Sequence, residues 1–222
     1  MWCRRRIRCW CRRLRMRPRR HRLDNDDVRV LLRVLIVVAV AIALIAVEST
    51  SRSGVLWRLI TFTYQANVLA AAYYLWSLFS PRVADRVGIR GAVVLYVVVA
   101  GILWNLLLTD YSMGYTPANI LLHIVVPVLA AVDWLAVGHG RCVVRWWQPL
   151  LWLIYPAAYL MLALVVLNGA GRRAPYYFLD PGSVGIAVVT VNVGLLAAFI
   201  LALGYGISAV GRPRRAEPTV VH

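Results

Sequence analysis

Charge is scarce in this sequence. Asp, Glu, Lys and Arg together make up 15% of its 222 residues, whereas soluble domains carry about 25%. Hydrophobic residues make up 61% of the chain, and the mean hydropathy is +0.69. A soluble fold of this size cannot bury so many apolar side chains. The composition therefore excludes an ordinary soluble domain and predicts a membrane protein.

Lysine is absent, so the 25 residues counted as Lys or Arg are all arginines. Cysteine is rare, with only 4 in the chain. So few cysteines exclude a disulfide-rich secreted domain. Cys3, Cys9 and Cys11 lie near His21, but their spacing matches no standard zinc motif. We expect reduced thiols, no metal site and no organic cofactor.

Six apolar stretches are long enough to cross the ~30 Å hydrocarbon core of a bilayer, which takes about 20 helical residues. Together they use about 120 residues and leave no room for a soluble catalytic domain. We therefore predict an all-α fold, a bundle of six transmembrane helices. Arg33, near the start of the first stretch, is expected to extend its guanidinium to the membrane surface. The predicted spans are Val30–Val47, Gly54–Phe79, Gly91–Thr109, Pro117–Val137, Trp146–Leu167 and Val184–Val210.

The arginines are distributed unevenly along the chain. All but four lie on one side of the predicted membrane, the four being Arg52, Arg58, Arg172 and Arg173. The positive-inside rule places both termini in the cytoplasm, as an even number of spans requires. We predict a multi-pass plasma-membrane protein with a basic arm over residues 1–29, a transmembrane domain over residues 30–210 and a tail over residues 211–222.

The basic arm allows two other interpretations. Its arginines alternate with Trp2 and Trp10, a pattern also found in nucleic-acid-binding segments, and its position before an apolar run is typical of a signal peptide. A segment tethered at a membrane meets anionic lipid head groups first, at about 1 kcal/mol per basic residue. The apolar run of about 18 residues is also longer than a signal peptide's. We expect the arm to be disordered or bound to lipid, with no nucleic-acid partner.

Polar residues from five predicted spans fall at one depth. With both termini cytoplasmic and a rise of 1.5 Å per residue, they lie about 6 to 12 Å below the outer surface. In the second span, Thr61 and Gln65 share one face, and Thr63 and Asn67 share another, so this helix is expected to be central. Thr61 is the member of the layer from the second span, and the other four members are Asn105, His123, Tyr159 and Asn192.

This layer contains a candidate nucleophile and a candidate base. A threonine hydroxyl becomes nucleophilic when a neighbouring base takes its proton, and Thr61 and His123 lie at matching depth on different helices. Their target would be a lipid ester. Interhelical hydrogen bonding is the alternative role for each polar residue, although a histidine at membrane depth is a functional candidate by default. The supporting residues, expected to bind substrate, stabilise an oxyanion or orient the imidazole, are Arg58, Gln65, Asn105, Asn119 and Tyr159.

Three short segments resemble a known family. The segment from Trp57 to Phe62 resembles the W-K-x-x-T-F segment of the androgen-induced and androgen-dependent six-helix membrane proteins of animals, and the segment from Asn119 to His123 resembles their N-x-x-x-H segment. Asp133 stands where the family has an acidic residue, and Tyr177-Phe178-Leu179-Asp180 is similar to its Y-P-F-L-E stretch. The chain resembles the bacterial branch of that family still more, since this branch shares the T-F-x-x-Q-x-N segment, here Thr61 to Asn67, and the F-L-D-P segment, here Phe178 to Pro181.

The resemblance implies a specific activity. Its animal members are threonine hydrolases that cleave fatty acid esters of hydroxy fatty acids, with one essential threonine and one essential histidine, which correspond here to Thr61 and His123. One departure is that Pro127 follows the histidine by four residues where the family's proline follows by five. The alternatives are a small transporter or lipid-binding protein without covalent chemistry, and a scaffold that recruits partners through its arginine-rich arm.

Overall fold

The computed structural model describes residues 19–50, 59–84, 86–110, 114–137, 144–167 and 176–210. Six long helical segments run through these residues, and no strand occurs among them. We label the segments α1 to α6, and three of them contain π-helical turns, in which the backbone hydrogen bonds span five residues instead of four. They are α1 (Arg19–Thr50), α2 (Phe62–Phe79), α3 (Val87–Leu103, continued by the π turn Trp104–Leu108), α4 (Pro117–Ile120, the π turn Leu121–Val125, Val126–Val132 and the π turn Asp133–Val137), α5 (Gln148–Trp152, Ile154–Met161 and the π turn Leu162–Leu167) and α6 (Ile186–Val210).

Five of these segments are long and apolar enough to cross a membrane: α1, α3, α4, α5 and α6. This confirms the all-α prediction over the described residues and supports a multi-pass membrane protein. The bounds of α4 agree with the predicted fourth span at both ends, and α5 and α6 each begin two residues after their predicted starts.

The second predicted span differs most from the structure. The prediction begins at Gly54, whereas α2 begins at Phe62, and residues 51–58 lie outside the described part of the chain. Although α2 has 18 residues, it is not among the five segments apolar enough to span a membrane. Its polar residues, including Gln65 and Asn67, lower its hydropathy.

Helix α2 is central, as its two polar faces predict. It packs against α1, α3 and the π turn of α4 that contains His123. The amide of Asn67 is fully buried and donates to the carbonyl of Leu122 in α4, with 3.3 Å between nitrogen and oxygen. On the other face, the Tyr155 hydroxyl of α5 donates to Gln65 Oε1 at 3.0 Å.

The Arg33 guanidinium lies inside the bundle. Its Nη1 donates to the carbonyl of Ser77 at 3.0 Å, and the residue is only 8% exposed. That it reaches the membrane surface stays a prediction. Ser77 lies in the last turn of α2, where helix carbonyls lack partners in their own helix. This contact binds α1 to α2.

Helices α3 and α4 approach each other closely at Gly101. A Cβ atom built at this glycine would lie 2.6 Å from the carbonyl oxygen of His123 and 3.0 Å from Cγ of Pro127. Real Cβ contacts are never so short to a backbone atom. Only glycine therefore permits this spacing, which holds α3 against the turn that contains His123.

Candidate functional site

His123 lies within a π turn whose cause can be read from the sequence. The N–H of Val126 donates to the carbonyl of Leu121, five residues earlier, so it is not available to the Leu122 carbonyl. Pro127 has no N–H to offer instead. The Asn67 amide of α2 donates to the Leu122 carbonyl instead, at 3.3 Å. Turns of this kind occur frequently at functional sites.

The imidazole of His123 is buried and held on two sides. Its Nδ1 lies 3.3 Å from the carbonyl oxygen of Ala100 in α3, and the ring stacks on Trp104 with a centroid distance of 4.6 Å and an interplanar angle of 13°. A carbonyl oxygen only accepts hydrogen bonds, so this contact requires the proton on Nδ1. Nε2 then has a free lone pair, the arrangement that a general base requires.

Thr61 immediately precedes α2. Its backbone is extended, with φ of −84° and ψ of 141°, and its hydroxyl does not cap the helix. Its carbonyl accepts the first hydrogen bond of the helix, from the N–H of Gln65 at 3.3 Å. The residue is half-buried. Because a helix N-terminus carries partial positive charge and N–H groups without partners, it favours negative charge developing near Thr61.

An apolar cavity of about 190 Å³ lies beside the start of α2. It exceeds an engineered cavity of ~150 Å³ that binds benzene, so it can hold part of a hydrocarbon chain. The lining residues that carry hydroxyl groups are Thr63, Tyr159 and Tyr176. The Tyr176 phenol is close to the Thr63 hydroxyl and to Tyr159, and burial raises its pKa. Tyr176 therefore stays protonated and can donate a hydrogen bond.

Pro156 frees a backbone carbonyl in α5 beside this cavity. Proline has no N–H, so the carbonyl four residues earlier, that of Trp152, loses its helical partner. The Tyr96 hydroxyl of α3 donates to that carbonyl at 2.9 Å. Pro156 itself lines the cavity.

His123 lies in a different hollow. With Gly101, Asn105 and Pro127 it lines a groove between α3 and α4. Ala100 connects the two hollows, since it lines the cavity and its carbonyl contacts the imidazole. Thr61 lines neither the cavity nor the groove. The structure thus groups Tyr159 with Thr63 and groups Asn105 with His123.

The remaining predicted site residues of the described part of the chain form hydrogen bonds within and between helices. Asn105 and Asn119 donate through their amides to carbonyls of Gly101 and Gly114, at 2.8 and 2.9 Å. Gln65 donates through Nε2 to the carbonyl of Leu59 and accepts at Oε1 from the Tyr155 hydroxyl. Hydrogen bonds of these kinds also serve packing alone. Arg58 lies outside the described residues.

Asn192 is another residue of the predicted layer, and its amide donates to the Phe178 carbonyl at 2.8 Å. This bond fastens the segment from Tyr176 to Leu179 onto α6. Phe178 and Leu179 line the cavity. Asp180 accepts from the N–H of Gly182 at 3.0 Å and so begins the short helix Pro181–Val184.

Sequence reasoning missed a buried ion pair at the opposite end of α3 and α4. Arg90 and Asp133 are not among the candidate site residues of the sequence. Arg90 is 5% exposed, Asp133 is fully buried, and Arg90 Nη2 lies 2.6 Å from Asp133 Oδ2. The available signal was an unexplained acidic residue within an apolar stretch. Such a residue needs a buried cation.

Metal binding has no support among the described residues, where no three or more His, Cys, Asp or Glu side chains are placed to hold an ion. The four cysteines lie outside the described part of the chain. Comparison of the chain with protein-family models, curated proteins and solved structures found no match. The family resemblance therefore rests on the short motifs that contain Thr61, His123 and Asp180.

Proposed function

We propose that this protein is a plasma-membrane hydrolase of lipid esters, with six spans, cytoplasmic termini, and a site in the outer half of the bilayer. Fatty acid esters of hydroxy fatty acids are the substrate class that the resemblance implies. Membrane lipids surround the bundle, and anionic head groups bind the basic arm. The reaction uses two side chains, Thr61 as nucleophile and His123 as base, without a cofactor.

The proposed reaction has two stages. The Thr61 hydroxyl attacks the ester carbonyl while Nε2 of His123 takes its proton, and the imidazolium then gives that proton to the departing alcohol. An acyl group remains on Thr61. Water, activated by the same imidazole, releases the fatty acid and restores the hydroxyl. Backbone N–H groups in the first turn of α2 favour the oxyanion of each stage.

The observation that carries this proposal is the hydrogen bonding of the His123 imidazole. A buried imidazole with Nδ1 at the Ala100 carbonyl has Nε2 as an acceptor, and the same alanine lines a cavity suited to hydrocarbon. Since His123 lines the groove and Thr61 lines neither hollow, catalysis requires Thr61 to move toward the imidazole when substrate fills the cavity. Catalytic hydrogen bonds often tighten only in the substrate complex.

A second candidate is a lipid-binding protein without covalent chemistry. The cavity favours this function because its own hydroxyl groups belong to Thr63, Tyr159 and Tyr176, and none of these is paired with an imidazole there. These groups can hold a carbonyl or hydroxyl of a bound acyl chain by hydrogen bonding. A small transporter would use the same cavity in this way.

Ester turnover and labelling by a fluorophosphonate probe, both in detergent, distinguish the two functions. Thr61→Ala should abolish labelling and turnover, while Thr61→Ser retains both. His123→Ala should lower kcat by about 10² to 10⁴, the usual contribution of a general base. Thr63→Ala is the matched control for the identity of the nucleophile, because this threonine is two residues away and lines the cavity, and it should retain labelling.

The possible results separate the proposals. If Thr63→Ala abolishes labelling and Thr61→Ala does not, the assignment of the nucleophile is wrong. If the wild type neither reacts with the probe nor turns over ester, yet retains a spin-labelled fatty acid, the protein is a lipid binder and the hydrolase proposal fails.

A further inference from the structure

Two polar contacts join α3 and α4 at opposite ends of their interface. At one end, Arg90 Nε donates to Asp133 Oδ2 at 2.8 Å, and Nη2 donates to the Asp133 backbone carbonyl at 2.5 Å. One guanidinium therefore binds the side chain and the backbone of the same residue. At the other end, Nδ1 of His123 faces the carbonyl of Ala100 at 3.3 Å.

The two contacts lie in one register. Ten residues separate Arg90 from Ala100, and ten separate His123 from Asp133, which corresponds to about 15 Å along each helix. Every step forward along α3 is matched by one step back along α4, as in antiparallel packing. Between the two contacts, both helices contribute buried apolar residues to one hydrophobic cluster, including Val93, Val97, Val126 and Ala130.

An interface of small apolar side chains specifies its register weakly. Valine and alanine offer similar surfaces at successive turns, so apolar contacts alone allow two helices to slide or rotate at modest cost. A buried polar group removes that freedom, because a displaced register leaves it without its partner. Arg90 contributes two donors in a fixed planar geometry, which restricts displacement more than a point charge does.

We propose that Arg90 is a positioning residue whose ion pair with Asp133 sets the register of α3 and α4, and thereby holds the His123 imidazole against Ala100 and Trp104. The inference rests on the proposed function only in assigning the imidazole a catalytic role. The effect of the ion pair on the position of the imidazole does not depend on catalysis. The ion pair acts at a distance of about 15 Å, through the two helices.

NMR of the His123 ring measures this position directly. Protons over the face of an indole are shifted upfield, and the imidazole stacks on Trp104 at 4.6 Å. The protein has four histidines, and the His123 signal is the one that disappears in His123→Asn. In the wild type in detergent we expect this signal upfield of the other three. A signal at the ordinary position would overturn the geometry on which the proposal stands.

The decisive variant is the double replacement Arg90→Met with Asp133→Leu. It removes both charges, and replacing a buried ion pair by apolar residues of similar size often preserves stability. We expect a folded protein in which the His123 signal loses its upfield shift. A folded double variant with an unchanged His123 signal would show that the ion pair does not position the imidazole.

Arg90→Lys keeps the charge and provides a second test if the double variant does not fold. Lysine pairs with the carboxylate but lacks the planar fork that also reaches the Asp133 carbonyl. We expect partial loss of the upfield shift, and an unchanged signal would contradict the proposal. Arg82→Met is the control, because Arg82 is exposed, and it should leave the signal unchanged.

Catalysis and positioning can fail separately. If the wild type has no ester turnover while the His123 signal responds to Arg90 as described, the positioning inference stands and the hydrolase proposal fails. If the wild type turns over ester and the folded double variant keeps both its kcat and its His123 signal, the positioning inference fails alone.

Discussion

Replacing Gly101 with alanine tests how closely α3 must approach the turn that contains His123. The added methyl carbon would lie 2.6 Å from the His123 carbonyl oxygen and 3.0 Å from Pro127 Cγ. Both neighbours belong to a helix backbone or a proline ring, so neither can rotate away. The two helices must separate by several tenths of an ångström, and overpacking of this kind costs about 1 to 3 kcal/mol.

Alanine also favours helix over glycine by about 0.5 to 1 kcal/mol, which partly offsets this cost. Gly206 in α6 isolates the second effect, because a Cβ built there has no neighbour within 4 Å. Gly206→Ala should therefore stabilise the protein slightly or leave it unchanged. The free energies of unfolding of the two variants should differ by about 1 to 3 kcal/mol, with Gly101→Ala the less stable.

The assay is unfolding in mixed micelles of a mild detergent and SDS, followed by circular dichroism, for the wild type and both variants. Gly101→Ala should also weaken the upfield shift of the His123 ring, since Trp104 and Ala100 move with α3. Equal stability of Gly101→Ala and Gly206→Ala would refute the inference that α3 and α4 are in direct contact at Gly101.

Three further predictions concern buried hydrogen bonds. Asn67→Ala removes the donor to the Leu122 carbonyl. It should lower the free energy of unfolding, measured in mixed micelles, by about 1 to 3 kcal/mol. A smaller loss would imply that the π turn satisfies its own carbonyls. Tyr96→Phe leaves the Trp152 carbonyl without its donor and should destabilise α5 by a similar amount, seen as faster amide exchange there. Thr63→Val removes a cavity hydroxyl at constant volume and should weaken retention of a spin-labelled fatty acid about 2- to 10-fold. Tighter binding would exclude a polar contact between residue 63 and the fatty acid.

Local sequence properties predicted several parts of the site. A run of apolar residues beginning at Pro117 predicts α4, because backbone groups in a membrane must be satisfied within a helix. Two polar faces on one helix predict that α2 is enclosed, and Asn67 and Gln65 contact two different helices. Pro156 predicts a free carbonyl, which Tyr96 satisfies.

Other features could not be predicted from local sequence. Thr61 and His123 were placed together because their depths match, but depth along a helix axis does not determine the direction in which a side chain points. The direction depends on helix rotation and packing, and these place His123 in a groove with Asn105 and Thr63 in the cavity. The association of Tyr176 with Thr63 likewise depends on how the segment before α6 folds back.

The sequence by itself determined which segments are helical and apolar enough for a membrane, where prolines free backbone carbonyls, and which polar residues must find partners. These properties depend on residues within a few turns of one another. Only the tertiary structure decided that Arg90 pairs with Asp133, that Arg33 contacts Ser77, and that Trp104 stacks on His123. Each of these contacts joins two helices, so it depends on their relative rotation and register, which no single helix specifies.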